Sequence, residues 1–84
     1  MKLIADQCGA DWEKSVKGFS LDRRIGQSHM AVPGPDDKLG FGGSCLPKDV
    51  QAMINYGDQL SIKLNTIIGA WKTNLNVRHD KDWE

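Results

Sequence analysis

The chain has 84 residues, eleven Lys and Arg against eleven Asp and Glu, two cysteines, nine glycines and three prolines. That length accommodates one small domain, and a chain this short buries only about 60–65% of the surface its unfolded form exposes, so its core is marginal without a partner. Zero formal net charge argues against a nucleic-acid binder, and apolar runs of no more than three residues exclude a transmembrane helix.

Residues 1–8 are good helix formers and end at Gly9, a natural left-handed closing residue. No capping residue precedes them, which reads as the tail of a longer helix. Asp11 is placed to cap a second short helix, with Trp12, Val16 and Phe19 on one face and Gly18 near its end. Residues 20–46 show neither a helical nor an alternating period. All three prolines (Pro33, Pro35, Pro47) and four glycines (Gly34, Gly40, Gly42, Gly43) fall between positions 33 and 47. A loop this long inside a compact domain is functional or disordered.

Pro47 stands where the first turn of a helix tolerates proline, and Asp49 complements the positive end of that helix. Val50, Met53 and Ile54 form its apolar stripe, which Gly57 is expected to close. Ser61 is expected to cap a last helix, where Leu64, Ile67, Ile68, Trp71 and Leu75 recur at helical spacing and read as core. Residues 78–84 are charged and expected to fray, although Trp83 is out of place in a mere tail. The fold class is therefore all-α: three or four short helices and a long Gly/Pro-rich loop, with apolar edges that a homodimer would cover. No charged-then-apolar leader opens the chain, and Cys8 and Cys45 have no zinc spacing and are too few for a disulfide scaffold. A reduced, cytoplasmic compartment, no membrane and no metal are the expectation.

The run Gly40-Phe41-Gly42-Gly43-Ser44-Cys45-Leu46-Pro47-Lys48-Asp49 sets a cysteine between a glycine-rich turn and a helix start. Glycines let the backbone approach a ligand closely. Unpaired N–H groups at a helix start, with Lys48 three residues on, favour a thiolate at neutral pH. Asp49 could orient a water or a substrate hydroxyl. The plainer reading is a turn followed by a capped helix around an inert thiol. The spacing is not that of a Walker A loop, and no strand precedes it as a dinucleotide fingerprint requires.

The string GFGGSCLPKD resembles the catalytic-cysteine signature of the UDP-glucose/GDP-mannose dehydrogenase family. CGADWEKSVKGFSLDRRIG upstream, and DVQAMINYGDQLSI and AWKTNLNVR downstream, extend the resemblance over essentially the whole chain. It implies one domain over residues 1–84, the central helical dimerisation domain, like the C-terminal domain of 6-phosphogluconate dehydrogenase. It further implies that Cys45 is the nucleophile of an NAD-dependent oxidation of a nucleotide sugar, UDP-glucose being the expected one. Two hydride transfers, through a thiohemiacetal and a thioester, would take the C6 alcohol to the acid. In that scheme Asp49 assists hydrolysis, Lys48 lies beside the cofactor, and Gly40, Phe41, Gly42 and Gly43 pack on the substrate. Arg24 would reach into the partner subunit's site.

Each role has a plainer counterpart. Arg24 could pair with Asp22 on the surface, Asp49 could serve only the helix dipole, and Cys8 reads as a small buried apolar group. His29 reads as a surface residue or phosphate contact. Lys2 is out of register with the family's lysine, so that role is not carried over, and the loop from Gln27 to Leu39 varies in length within the family. No Gly-x-Gly-x-x-Gly fingerprint occurs, so the chain alone is expected to be inactive. A non-enzymatic helical dimerisation or binding module is the alternative. A redox domain would need Cys8 to act as resolving thiol.

Overall fold

A computed structural model describes all 84 residues. The chain is all-helical, with the order α1 (Lys2–Cys8), α2 (Trp12–Phe19), α3 (Leu46–Gln59) and α4 (Asn65–Val77). It forms two units, Met1–Val32 and Pro33–Glu84.

In the first unit, α1 ends as its composition predicts. Gly9 takes φ 75°, and Ala10 N–H closes on the Ala5 carbonyl at 2.9 Å. Asp11 caps α2 by accepting the Lys14 N–H at 3.0 Å, one of the amides a helix start leaves without a partner. Trp12 and Phe19, seven residues apart, bring their rings to 6.3 Å. Ala5 is the one apolar side chain counted as core, at 8% exposure. Cys8 is exposed rather than buried, and its thiol turns back along α1 to the Ala5 carbonyl, 3.6 Å away.

In the second unit, α3 opens with Pro47 in its first turn and Asp49 as its early acidic residue. Gly57 does not close this helix, which runs on to Gln59. Gly57 is buried instead, and a Cβ there would lie 2.9 Å from the Ile62 carbonyl oxygen and 3.0 Å from Leu64 Cδ1. Its bare backbone lets the chain fold back, so that Ile62 N–H donates to the Gly57 carbonyl at 2.8 Å. This fold-back is why Ser61 caps nothing. It sits at φ 59° in the turn, and α4 begins later, with Leu64 at its cap position.

The apolar stripe of α4 is half-buried at Leu64, Ile67, Ile68 and Trp71, while Leu75 is exposed. The largest fully buried side chains of the unit are Arg78, Asn74 and Pro47. Residues 78–84 therefore do not fray. Arg78 forms ion pairs with Asp36 and Asp82, and Trp83 meets Trp71 at 5.4 Å between ring centroids. The charges that suggest a solvated tail are the partners of a buried polar centre.

Candidate active site

The glycine loop reaches Cys45 under firm control from α4. Asn74, 2% exposed, accepts the Phe41 N–H on Oδ1 at 2.7 Å and donates from Nδ2 to the Phe41 carbonyl at 3.0 Å. Arg78, also 2% exposed, donates to Asp36 Oδ2 at 2.7 Å, to the Asp80 carbonyl at 3.0 Å and to Asp82 Oδ2 at 3.3 Å. Asp82 in turn accepts the Gly43 N–H at 2.8 Å. No buried side-chain nitrogen or oxygen lacks a partner, as a polar centre in low dielectric requires.

Two glycines make this approach possible. Gly40 takes φ 71°, and a Cβ on it would collide with Asn74 Oδ1; one on Gly42 would collide with the Arg78 guanidinium and Asp82. The Phe41 ring lies 5.9 Å from that of Trp71, which ties the loop to the aromatic side of α4 as well.

The electrostatics follow the same contacts. The Arg78 hydrogen bond holds the Asp36 carboxyl below the usual carboxylate range. The Gly43 amide, followed by the charge of Arg78, does the same for Asp82. Asp36 reciprocally raises Arg78, and the pair between Lys38 and Asp80 raises Lys38.

Cys45 occupies the cap position of α3, and its carbonyl accepts the Asp49 N–H at 3.0 Å. Its side chain makes no capping bond, and the exposed sulfur has Ser44 Oγ at 3.7 Å. The thiol is therefore not used to cap the helix, and Ser44 is its hydrogen-bond neighbour. Lys48 and Asp49 are exposed on the first turn, with Nζ and Oδ1 3.6 Å apart. Beside them lies a groove of about 440 Å³ lined by Ser44, Lys48, Gln51, Ala52, Asn55 and Trp83.

Of the residues singled out from sequence, Gly40, Phe41, Gly42, Gly43, Cys45, Lys48 and Asp49 lie together in the second unit. Arg24 belongs to the first, where it donates to Asp22 at 2.7 Å and its side chain is 89% exposed. That bond lowers the Asp22 carboxyl and raises Arg24. Asn74, Arg78 and Asp82 are not among the residues singled out from sequence, and Trp83 stands out there only as misplaced in a charged tail. The available signal was Asn74 and Arg78, polar residues spaced i and i+4 beside an apolar stripe, ahead of a tryptophan in a charged segment.

No group of three or more His, Cys, Asp or Glu side chains is arranged to hold a metal. No helix is long and apolar enough to cross a membrane.

Comparison with known proteins matches the central domain of the UDP-glucose/GDP-mannose dehydrogenase family to residues 1–76. Among curated proteins, the chain is 39% identical over 74 residues to a UDP-glucose 6-dehydrogenase of Rickettsia felis, covering 88% of this chain and 15% of that protein. It is 34% identical over 75 residues to UDP-glucose 6-dehydrogenase TuaD of Bacillus subtilis, covering 89% and 15%. It is 43% identical over 62 residues to a UDP-glucose 6-dehydrogenase of Pseudomonas aeruginosa, covering 70% and 13%. The chain therefore spans only about 15% of the length of the relatives it matches. No solved structure matches it, and the expected likeness to 6-phosphogluconate dehydrogenase rests on the sequence resemblance alone. With the family match covering residues 1–76 and a glycine loop leading to a free cysteine at a helix start, the chain belongs to the UDP-glucose/GDP-mannose dehydrogenase family, as its central domain.

Proposed function

We propose that this chain is the cysteine-bearing central domain of an NAD-dependent UDP-glucose 6-dehydrogenase, in which Cys45 is the nucleophile. The carrying observation is the exposed Cys45 sulfur, unspent on capping, at the end of the loop held by Asn74 and Asp82. The relatives' names supply the substrate class.

The chemistry assigned to these residues is addition to an aldehyde. The Cys45 sulfur forms a bond to the carbonyl carbon, the C=O π bond breaks, and a proton goes to the oxygen, giving a thiohemiacetal. Hydrolysis belongs to the thioester level of the family's scheme, where Asp49, on the same first turn, would accept a proton from the attacking water as the C–S bond breaks and Cys45 leaves as thiolate. Lys48 supplies positive charge beside it, and the backbone of Gly40, Phe41, Gly42 and Gly43 presents the surface for the sugar nucleotide. Arg24, exposed and tied only to Asp22, is available for a partner subunit.

The chain's own residues do not fit NAD. There is no strand to carry a dinucleotide fingerprint, and the Gly40-x-Gly42 run has cysteine where the third glycine would stand. No oxidation step is therefore assigned to this chain.

Thirteen large apolar side chains are exposed, among them Leu3, Ile4, Leu46, Met53, Tyr56 and Ile62. They support the homodimer expected of this domain and equally favour the second reading, a helical dimerisation module without catalysis. A cytoplasmic location belongs to the same proposal.

The test compares the two thiols. The chain is treated with iodoacetamide in the presence and absence of the 6-aldehyde of UDP-glucose, and modification is followed at each cysteine by mass spectrometry. The proposal predicts protection of Cys45 and none of Cys8. Equal labelling of both with and without aldehyde would favour the non-catalytic module.

A further inference from the structure

Three side chains from the end of α4 and the segment after it hold the loop on its approach to Cys45. Asn74 takes both backbone groups of Phe41, Asp82 takes the amide of Gly43, and Arg78 binds Asp82, Asp36 and the Leu39 carbonyl, the last at 3.4 Å. The Gly43 amide stands two residues before the thiol. The family match ends at residue 76, so Arg78 and Asp82 act from beyond it.

We propose that Asn74, Arg78 and Asp82 are positioning residues: a polar clasp that fixes the glycine loop and thereby the setting in which Cys45 meets its reactant. The inference rests on Cys45 being the reactive group.

The physical argument lies in what else could hold such a loop. Residues 40–43 carry one side chain among four positions, so apolar packing through Phe41 constrains the segment at a single point. Directional bonds to the backbone constrain it where side chains are absent. A planar guanidinium with several fixed donors is suited to joining a carboxylate on each side of the loop with backbone carbonyls. The fit leaves no orphaned buried polar atom, so losing one member leaves the others unsatisfied and is felt through the whole clasp.

A purely structural role would stabilise the unit without altering the thiol. The experiment therefore reads Cys45 itself, as its alkylation rate with iodoacetamide in a Cys8→Ala background, beside a short peptide carrying Gly-Ser-Cys-Leu. Far-UV circular dichroism checks that the helices persist. The clasp predicts a parent rate distinct from the peptide's. Asn74→Ala and Asp82→Ala should move it towards the peptide value by about fivefold, the worth of one ordinary hydrogen bond. Asp82→Asn keeps an oxygen for the Gly43 amide but loses the carboxylate oxygen that accepts from Arg78, so its rate should fall between those of the parent and Asp82→Ala. If Asn74→Ala loses its helices, the isosteric Asn74→Asp replaces it with the same expected direction. A parent rate equal to the peptide's would overturn the proposal, as would variants that keep the parent rate. Neither aldehyde nor NAD enters the measurement, so failure of the dehydrogenase reading would register separately.

Discussion

The side chain of Asn74 pairs with the backbone of Phe41 as a neighbouring strand would, accepting from its N–H at 2.7 Å and donating to its carbonyl at 3.0 Å. A buried amide thus replaces sheet pairing in a chain that has no sheet. The arrangement requires a bare backbone at Gly40, where the amide oxygen of Asn74 takes the place of a side chain.

Glycine substitutions should consequently rank by contact and not by backbone angle alone. Gly40 and Gly43 both have positive φ, but only Gly40 has a neighbour in the way. Gly43→Ala should cost about 1–2 kcal/mol for its left-handed backbone. Gly40→Ala should cost about 1 kcal/mol more, because it also displaces Asn74 from Phe41. Urea unfolding followed by tryptophan fluorescence measures both. Equal costs would show that the Asn74 contact contributes nothing.

Gly57→Ala sets helix propensity against packing. Alanine in a helix interior gains about 1 kcal/mol over glycine, but the added carbon would stand 2.9 Å from the Ile62 carbonyl, which is backbone held by its own turn. Overpacking of this kind costs about 1–3 kcal/mol. Net destabilisation is expected, seen as a lower thermal midpoint. A raised midpoint would mean that the turn between α3 and α4 shifts freely.

The clasp should open in acid. Asp36 and Asp82 have folded-state carboxyls held below their ordinary range, Asp36 chiefly by Arg78 and Asp82 chiefly by the Gly43 amide. Their stabilisation is therefore fully present above the unfolded carboxylate value of about 3.9 and is lost as pH falls through the lowered folded values. Fluorescence of Trp71 and Trp83, which flank this region, should be flat from neutral pH down to about 4 and change below it. Asp36→Asn should weaken that acid transition. A transition centred near neutrality would contradict this account.

The chain should not oxidise UDP-glucose on its own. Its residues offer Cys45, Lys48 and Asp49 but no dinucleotide site. Absorbance at the NADH band should stay flat when the purified chain is mixed with UDP-glucose and NAD. A sustained rise abolished by Cys45→Ala would show that a cofactor site exists in these 84 residues.

The local features were legible in the sequence. Gly9, Asp11 and Pro47 act on their own helix ends, through groups within five residues of themselves, so composition and spacing suffice to place them. Cys45 at a helix start follows from the same signals. Features decided by distant partners were not legible. Arg78 and Asp36 are 42 positions apart, Asp82 and Gly43 are 39 apart, and the charges of residues 78–84 gave no hint of burial. Gly57 and Ser61 were misassigned for a related reason. Glycine after an apolar stripe suggests a helix end and serine before one suggests a cap, but here the chain folds back on Gly57 and delays α4 to Asn65. Arg24 pairs with Asp22, as the plainer reading of its neighbourhood has it, because that partner is two residues away.

The central claim is that Cys45 adds to the aldehyde of a sugar nucleotide. The most direct measurement is carbon-13 NMR of the 6-aldehyde of UDP-glucose, labelled at the carbonyl carbon and mixed with the purified chain. The account predicts a new resonance for a carbon bonded to both oxygen and sulfur, retained in Cys8→Ala and absent in Cys45→Ala. A spectrum showing only free aldehyde and its hydrate, or an adduct that survives Cys45→Ala, would contradict it.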